Sequence, residues 1–179
     1  TALYGGSFNP PHVGHQMACL YALETLQAED LWLIPSLVHP LGKELLDYEH
    51  RQAMLHILIQ PFAGRTDILL TEQACGSSRT FDIVAYLQEK YPERRFAWIV
   101  GADILEEKES WYRWEELQKM VTMVVLGRSG YEKENVLLPA LPEVSSSEIR
   151  RLCTQGQDIS AQVPAGVAEY IAEHDLYLA

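Results

Sequence analysis

The chain is poor in cysteine, poor in cations and without a long apolar run. Its three cysteines, at positions 19, 75 and 153 of 179 residues, form no CxxC pair and are odd in number. That argues against a disulfide framework and for the reduced thiols of a cytoplasmic protein. Lys and Arg number 14 against 25 Asp and Glu, for a net charge of −11. Broad nucleic-acid binding needs the opposite balance, so no nucleic-acid partner is expected. An acidic chain still binds small anions where its few cations gather at one site. No run of eighteen apolar residues occurs, and no basic-then-apolar leader opens the sequence. A cytoplasmic protein with no membrane partner is therefore expected. Thr1 stands so close to the first predicted strand that an initiator Met, and a residue or two, are expected to precede it.

What is present is 47% hydrophobic residues, enough for one domain, 1–179, with a substantial core. The stretch Gly5-Gly6-Ser7-Phe8-Asn9-Pro10-Pro11-His12-Val13-Gly14-His15 carries the most information. A short apolar strand runs into two glycines, then a polar turn, then the start of a helix near Val13. Glycines at a strand end let a ligand approach the backbone, and a helix N-terminus offers N–H groups and the positive end of its dipole to phosphate. On the opening turn His12 and His15 share a face. A plain Gly-Gly turn remains the other reading. The stretch lacks the Gly-x-Gly-x-x-Gly fingerprint and the Gly-Lys-Ser/Thr end of a P-loop. His-x-x-His has no cysteine or carboxylate following at ligand spacing, so no protein-held metal is expected.

Along the chain, strands and helices alternate. A helix is predicted over 13–28 with Met17, Leu20, Tyr21, Leu23 and Leu26 inward, then a strand, Leu31 to Pro35. A loop, 36–46, precedes a helix capped by Asp47 and running to Ile59. A strand at 68–70, a loop of small residues at 74–78, and a helix started by Ser78 or Thr80 and ending before Pro92 follow. Strands at 96–100, 121–126 and 135–138 come next, with a helix to Met120 behind Trp111. Two last helices run to Cys153 and from Pro164 to His174. The pattern predicts a single-domain α/β fold, a Rossmann-like doubly wound parallel sheet with helices on both faces. In such sheets ligands sit beyond the carboxyl ends of the strands, where the polar clusters fall.

Those clusters each allow two readings from the residues alone. Ser145-Ser146-Ser147 at a helix start is a cap, or a phosphate seat with Arg150 one turn on. Gly101-Ala102-Asp103 is a turn with a cap, or a carboxylate set at a strand end. Trp111, Tyr112 and Trp114 are packing, or a stacking platform.

The opening stretch resembles the Gly-Gly-Thr-Phe-Asp-Pro-x-His-x-Gly-His motif of the nucleotidylyltransferase superfamily, with Ser7 for Thr and Asn9 for Asp. Val144 to Arg150 resembles the Ile-Ser-Ser/Thr-Thr/Ser-x-Ile-Arg motif of the same superfamily. Trp111-Tyr112 and Ser78-Arg79-Thr80 resemble segments of the bacterial nicotinate mononucleotide adenylyltransferases, with Arg79 in place of a Tyr. Arg51 and Met54 match a common Arg-x-x-Met-Leu helix, and Arg128 and Tyr131 an Arg-Pro-Gly-Tyr segment.

The resemblance implies transfer of the adenylyl group of ATP to nicotinate mononucleotide, giving the dinucleotide and pyrophosphate in NAD biosynthesis. It places Gly5, Gly6, Ser7, Phe8, His12, His15, Ser146, Ser147 and Arg150 at the ATP phosphates, with His12, His15 and Arg150 catalytic. The mononucleotide falls to Thr80, Asp103, Trp111 and Tyr112, with an anion contact from His39 and Lys43. Mg²⁺ is implied as ATP's companion, held by phosphate and water. A preference for nicotinamide mononucleotide, a sister nucleotidylyltransferase activity, a non-catalytic nucleotide-binding regulator and a homo-oligomer all stay open.

Overall fold

The computed structural model describes residues 1–26, 28–38, 44–102, 111–127 and 143–178. Its centre is a sheet of five parallel strands in the order β3-β2-β1-β4-β5. These are β1 (Ala2–Gly6), β2 (Leu31–Pro35), β3 (Thr66–Ile68), β4 (Ala97–Gly101) and β5 (Thr122–Leu126). Register runs Leu3 beside Trp32 and Trp98, and Ile99 beside Val124. The strands are apolar on both faces because both faces are covered. Side chains alternate strictly. Ala2, Leu31, Leu33, Ile99 and Val124 enter one core, while Leu3, Trp32, Ile34, Trp98, Val100 and Val125 enter the other.

Helices α1 (Val13–Glu24) and α2 (Tyr48–Ile59) cover the first face through Ala18, Cys19, Ala22, Leu23, Leu55 and Leu58. Helices α4 (Thr80–Lys90) and α5 (Trp114–Met120) cover the second through Ile83, Val84, Leu87 and Leu117. Each fully buried aliphatic side chain contributes roughly 1.5–3 kcal/mol. A third cluster forms where α6 (Ser146–Thr154) and α7 (Ala165–Glu173) close on Met54 of α2. No helix among the described residues is long and apolar enough to cross a membrane.

The doubly wound architecture is as the sequence implies, and several details differ. Met17 and Leu20 point outward, 41% and 50% exposed. The inner face of α1 is instead Gly14, Ala18, Cys19, Ala22 and Leu23, small residues that suit close packing on the sheet. Helix α1 stops at Glu24, before the predicted residue 28. There the Arg65 guanidinium donates to the carbonyls of Leu23 (2.8 Å) and Ala28 (3.3 Å), taking over the role of the next helical turn. Strand β3 sits two residues earlier than predicted. Leu69 N–H still donates to Leu33 O at 2.8 Å, but Leu70 leaves the ladder to precede a short helix, α3 (Thr71–Cys75), within what reads as a loop. Gly76 ends that helix at φ +69°, a left-handed cap that suits glycine. Asp47 occupies the cap position of α2 but makes no capping hydrogen bond with its side chain. The strand predicted at 135–138 lies outside the described residues.

Candidate active site

The site opens beyond the carboxyl ends of β1 and β4, where the strand order reverses. Glycine is required at its floor. A Cβ on Gly5 would stand 2.7 Å from Trp98 Cζ2, and one on Gly6 3.2 Å from the Phe8 ring. Phe8 holds a left-handed φ of +48°, which a bulky residue adopts only when its surroundings impose it. Its buried ring stands edge-on to Tyr4 (5.6 Å) and His15 (4.9 Å). Phe8 anchors the loop with its side chain, leaving only backbone to face a ligand.

At the start of α1 the His12 N–H donates to His15 Nδ1 at 3.1 Å. That bond assigns the neutral His15 proton to Nε2. The two imidazoles stack with centroids 3.7 Å apart, and a Cβ on Gly14 would meet the His12 ring at 3.1 Å. One N–H expected to await an anion is already closed: Val13 donates to Gln162 O at 3.0 Å.

The facing wall is α6, and it is stitched to the opening loop. Ser146 Oγ donates to Pro10 O (2.8 Å), and Arg150 Nη1 donates to Asn9 O (2.6 Å) while Nη2 donates to Ser147 Oγ (3.3 Å). Ser145 caps the helix, its Oγ accepting from Glu148 N–H at 3.2 Å. Asn9 is itself buried, and its Oδ1 accepts from Tyr177 OH (2.8 Å) and Leu46 N–H (3.3 Å). An amide oxygen suffices for both bonds, so no carboxylate is needed at this position. Burial pushes the Tyr177 phenol far above its ordinary range and keeps it a donor.

Beneath both walls lies Arg51, fully buried. Its Nε donates to Leu46 O, and its Nη1 to Ser7 O and Ser36 O, each at 2.8 Å. Burial lowers its proton affinity, opposed by nearby Tyr48, Tyr177 and Glu72. Glu72 accepts Leu37 N–H at 2.8 Å, and burial raises its carboxyl above the usual range.

On the second face of the sheet, Thr80 opens α4, and Trp111 and Tyr112 lie just before Arg113, the N-cap of α5. The two helix starts meet: Phe81 stands edge-on to Tyr112 at 6.0 Å, and the Arg79 guanidinium lies 4.4 Å from the Tyr112 ring centroid. Trp111 is half-buried, edge-on to Trp114 at 5.5 Å.

Residues 3–152 match the cytidylyltransferase-like family model. A Myxococcus xanthus protein named "Probable nicotinate-nucleotide adenylyltransferase" is 42% identical over 178 residues, spanning 99% of this chain and 94% of its own. The chain belongs to the nicotinate-nucleotide adenylyltransferase family. A relative of the same name from Anaeromyxobacter dehalogenans is 39% identical, over 98% of this chain and 95% of its own. The nicotinic acid mononucleotide adenylyltransferase of Plasmodium falciparum, complexed with NaAD, superposes with a TM-score of 0.85 at 22% identity, over 98% of this chain and 96% of that one. That likeness shows the shared fold.

Within this adenylyltransferase-family chain, the predicted residues fall into three groups. Gly5 to His15 and Ser146, Ser147 and Arg150 come together as two walls joined by hydrogen bonds. Thr80, Trp111 and Tyr112 gather at a separate rim. His39, Lys43, Asp103, Arg128 and Tyr131 lie outside the described residues. Arg51, which matches an Arg-x-x-Met-Leu helix in the sequence, makes three backbone bonds that give it a structural role. Sequence reasoning missed Glu72 and Tyr177. Nothing in the sequence marks Glu72. Tyr177 reads as packing, and only its hydrogen bond to Asn9 exposes its part in shaping the site.

Proposed function

We propose that this enzyme transfers the adenylyl group of ATP to nicotinate mononucleotide, forming nicotinate adenine dinucleotide and pyrophosphate in NAD biosynthesis. The observation that carries the reading is the pair of walls: the His12–His15 stack on one side and the Ser147–Arg150 pair on the other, sewn together through Asn9 and Pro10. Such a cleft suits an extended triphosphate.

The 5′-phosphate oxygen of the mononucleotide attacks the α-phosphorus of ATP. The new O–Pα bond forms as the bond from Pα to the bridging β-oxygen breaks, and that electron pair leaves with pyrophosphate. No protein nucleophile takes part, so catalysis is positioning and charge stabilisation. His15, with its proton on Nε2, donates to an α-phosphate oxygen as negative charge builds there. His12 lies against it and fixes its plane. Arg150, with two of its five N–H groups engaged at Asn9 O and Ser147 Oγ, turns others to the leaving phosphates. Ser146 acts through Pro10, holding the loop, and Ser147 is the exposed hydroxyl of the pair.

At the acceptor end, the Trp111 indole stacks on the pyridine ring, Tyr112 contributes its backbone N–H and Thr80 opens the neighbouring helix start. Asp103, His39 and Lys43 complete this half in the reading, the first at the ribose and the others as anion contacts. One domain, 1–179, holds both halves, and the reaction runs in the cytoplasm. Mg²⁺ accompanies ATP, its charge offsetting that of the phosphate oxygens. Among the described residues no three His, Cys, Asp or Glu side chains gather to hold an ion. Every step above rests on the side chains and N–H groups named.

Pyrophosphate release tests the reading. With ATP, nicotinate mononucleotide should support turnover well above nicotinamide mononucleotide. His15→Ala should fold normally and lose most turnover, and near-normal turnover would refute the role given to His15. Tight ATP binding without pyrophosphate release on any acceptor would instead make the chain a nucleotide-binding regulator.

A further inference from the structure

The rim carries a ladder of alternating cations and rings whose side chains the reaction above does not use. The Arg79 guanidinium lies 4.4 Å from the Tyr112 ring centroid, Tyr112 meets Phe81 edge-on at 6.0 Å, and the Arg113 guanidinium lies 3.9 Å from the Phe81 ring. Its two cations are not equivalent. Arg113 is closed by Glu116, which takes both its Nε (2.7 Å) and its Nη2. The nearest carboxylate along the chain from Arg79, Asp82, accepts Ser77 OH at 2.7 Å instead. Among the described residues Arg79 has no carboxylate partner, and its side chain is exposed. In a chain of net charge −11, an uncompensated cation beside the acceptor rim stands out against its surroundings.

We propose that Arg79 is a specificity-determining residue, reading the negative charge of the acceptor's ring carboxylate; this deepens the acceptor assignment above and rests on it. The geometry supplies the mechanism. A guanidinium lying on an aromatic face is held in plane while its edge N–H groups stay open, and that fork matches a planar carboxylate. A carboxamide has the same shape and no charge. It also turns an NH₂ group toward the cation, leaving one donor facing another. The ring carrying this group would rest beside Tyr112, one residue from Trp111 and on the same rim as Thr80. Arg79 therefore separates two acceptors that stacking on an indole cannot tell apart. The backbone keeps the side chain in place: Arg79 N–H donates to Ser77 Oγ at 3.2 Å, and Arg79 is the N-cap of α4.

The test is steady-state kinetics at saturating ATP with nicotinate and nicotinamide mononucleotides, for wild type, Arg79→Ala, Arg79→Lys and Arg79→Glu. A charge-assisted guanidinium fork on the bound substrate's carboxylate predicts a loss of about 10- to 30-fold in kcat/KM for the nicotinate substrate in Arg79→Ala, carried mostly by KM. The nicotinamide substrate should change by less than about threefold, so the discrimination ratio collapses. Arg79→Lys should restore part of the preference, and Arg79→Glu should weaken the nicotinate substrate further than Ala. Wild-type preference should shrink as salt rises, because the pair is exposed. Equal losses on both mononucleotides, or a preference unchanged in Arg79→Ala, would overturn the assignment to Arg79 while leaving the acceptor reading standing. A wild-type enzyme that turns over neither mononucleotide would overturn both.

Discussion

Arg51 offers the most demanding test of how this site is built. Replacing it by Met keeps the length and apolar stem of the side chain and removes the guanidinium. Three carbonyls, of Ser7, Ser36 and Leu46, then lose donors that stand at 2.8 Å. Each buried acceptor left unpaired costs roughly 1–3 kcal/mol, so the gross loss is roughly 3–9 kcal/mol. Against this, removing the charge relieves its burial penalty, the same effect that lowers the proton affinity of Arg51. Glu72, which Arg51 helps to hold ionised, then faces its own burial with less compensation. The net expectation is a destabilisation of about 3–5 kcal/mol, a large share of the roughly 5–15 kcal/mol that holds a domain together. Urea unfolding followed by tryptophan fluorescence should show the midpoint falling by roughly 1–2 M with the slope unchanged. Arg51→Lys keeps the charge, but one ammonium cannot span three carbonyls, so it should recover less than half of the loss. A Met variant within about 1 kcal/mol of wild type, or a Lys variant equal to Arg, would refute the claim that the planar fork organises these loops.

Other expectations follow from the same geometry. Gly14→Ala gains helix propensity but places a Cβ 3.1 Å from the His12 ring, so turnover should fall more than tenfold while the unfolding midpoint barely moves. Asn9→Asp should fold and remain active, since a carboxylate oxygen accepts the same bonds from Tyr177 and Leu46; Asn9→Leu should lose roughly 1–3 kcal/mol in urea unfolding, because Leu46 N–H is left unpaired. Burial raises Glu72 above its ordinary 4.5, so in the window just above that value the folded state binds more protons than the unfolded one, and stability falls as pH rises through it. Glu72→Gln should lack that decline, and identical pH profiles for the two proteins would contradict it. A thiol reagent should label half-buried Cys75 first and Cys19 only on unfolding, since burial pushes the Cys19 thiol up to about 12; fast labelling of Cys19 in the folded protein would contradict the packing.

The fold was legible because both faces of the sheet are covered. Continuous apolar runs such as Leu31 to Ile34 signal buried parallel strands without any alternation. Helix α1 departs from its sequence expectation for a related reason. Periodicity weighted by size selects Met17 and Leu20, whereas the sheet accepts Gly14, Ala18 and Ala22 because small side chains let the helix lie close. The site's motifs could be read locally, since His12 and His15 are neighbours on one turn and Ser145 caps its own helix. What joins them could not. Hydrogen bonds from Ser146 to Pro10 and from Tyr177 to Asn9 depend on how distant segments settle, and no spacing records them. Arg51 shows the limit most clearly: its helix position is plain, but its partners are three backbone carbonyls whose chemistry is the same at every residue.

The stitches between the two walls also set a timetable for synthesis. The partners of Pro10 and Asn9 lie 136, 141 and 168 positions later in the chain. At ribosomal speeds the opening loop waits roughly ten to thirty seconds for its final clasp, Tyr177. During that interval the growing chain can assemble its sheet, because β1, β2 and β4 precede α6. It cannot assemble the cleft. Until those segments are made, a nascent chain carries the histidine pair without the wall that Ser146 and Arg150 later tie to its loop.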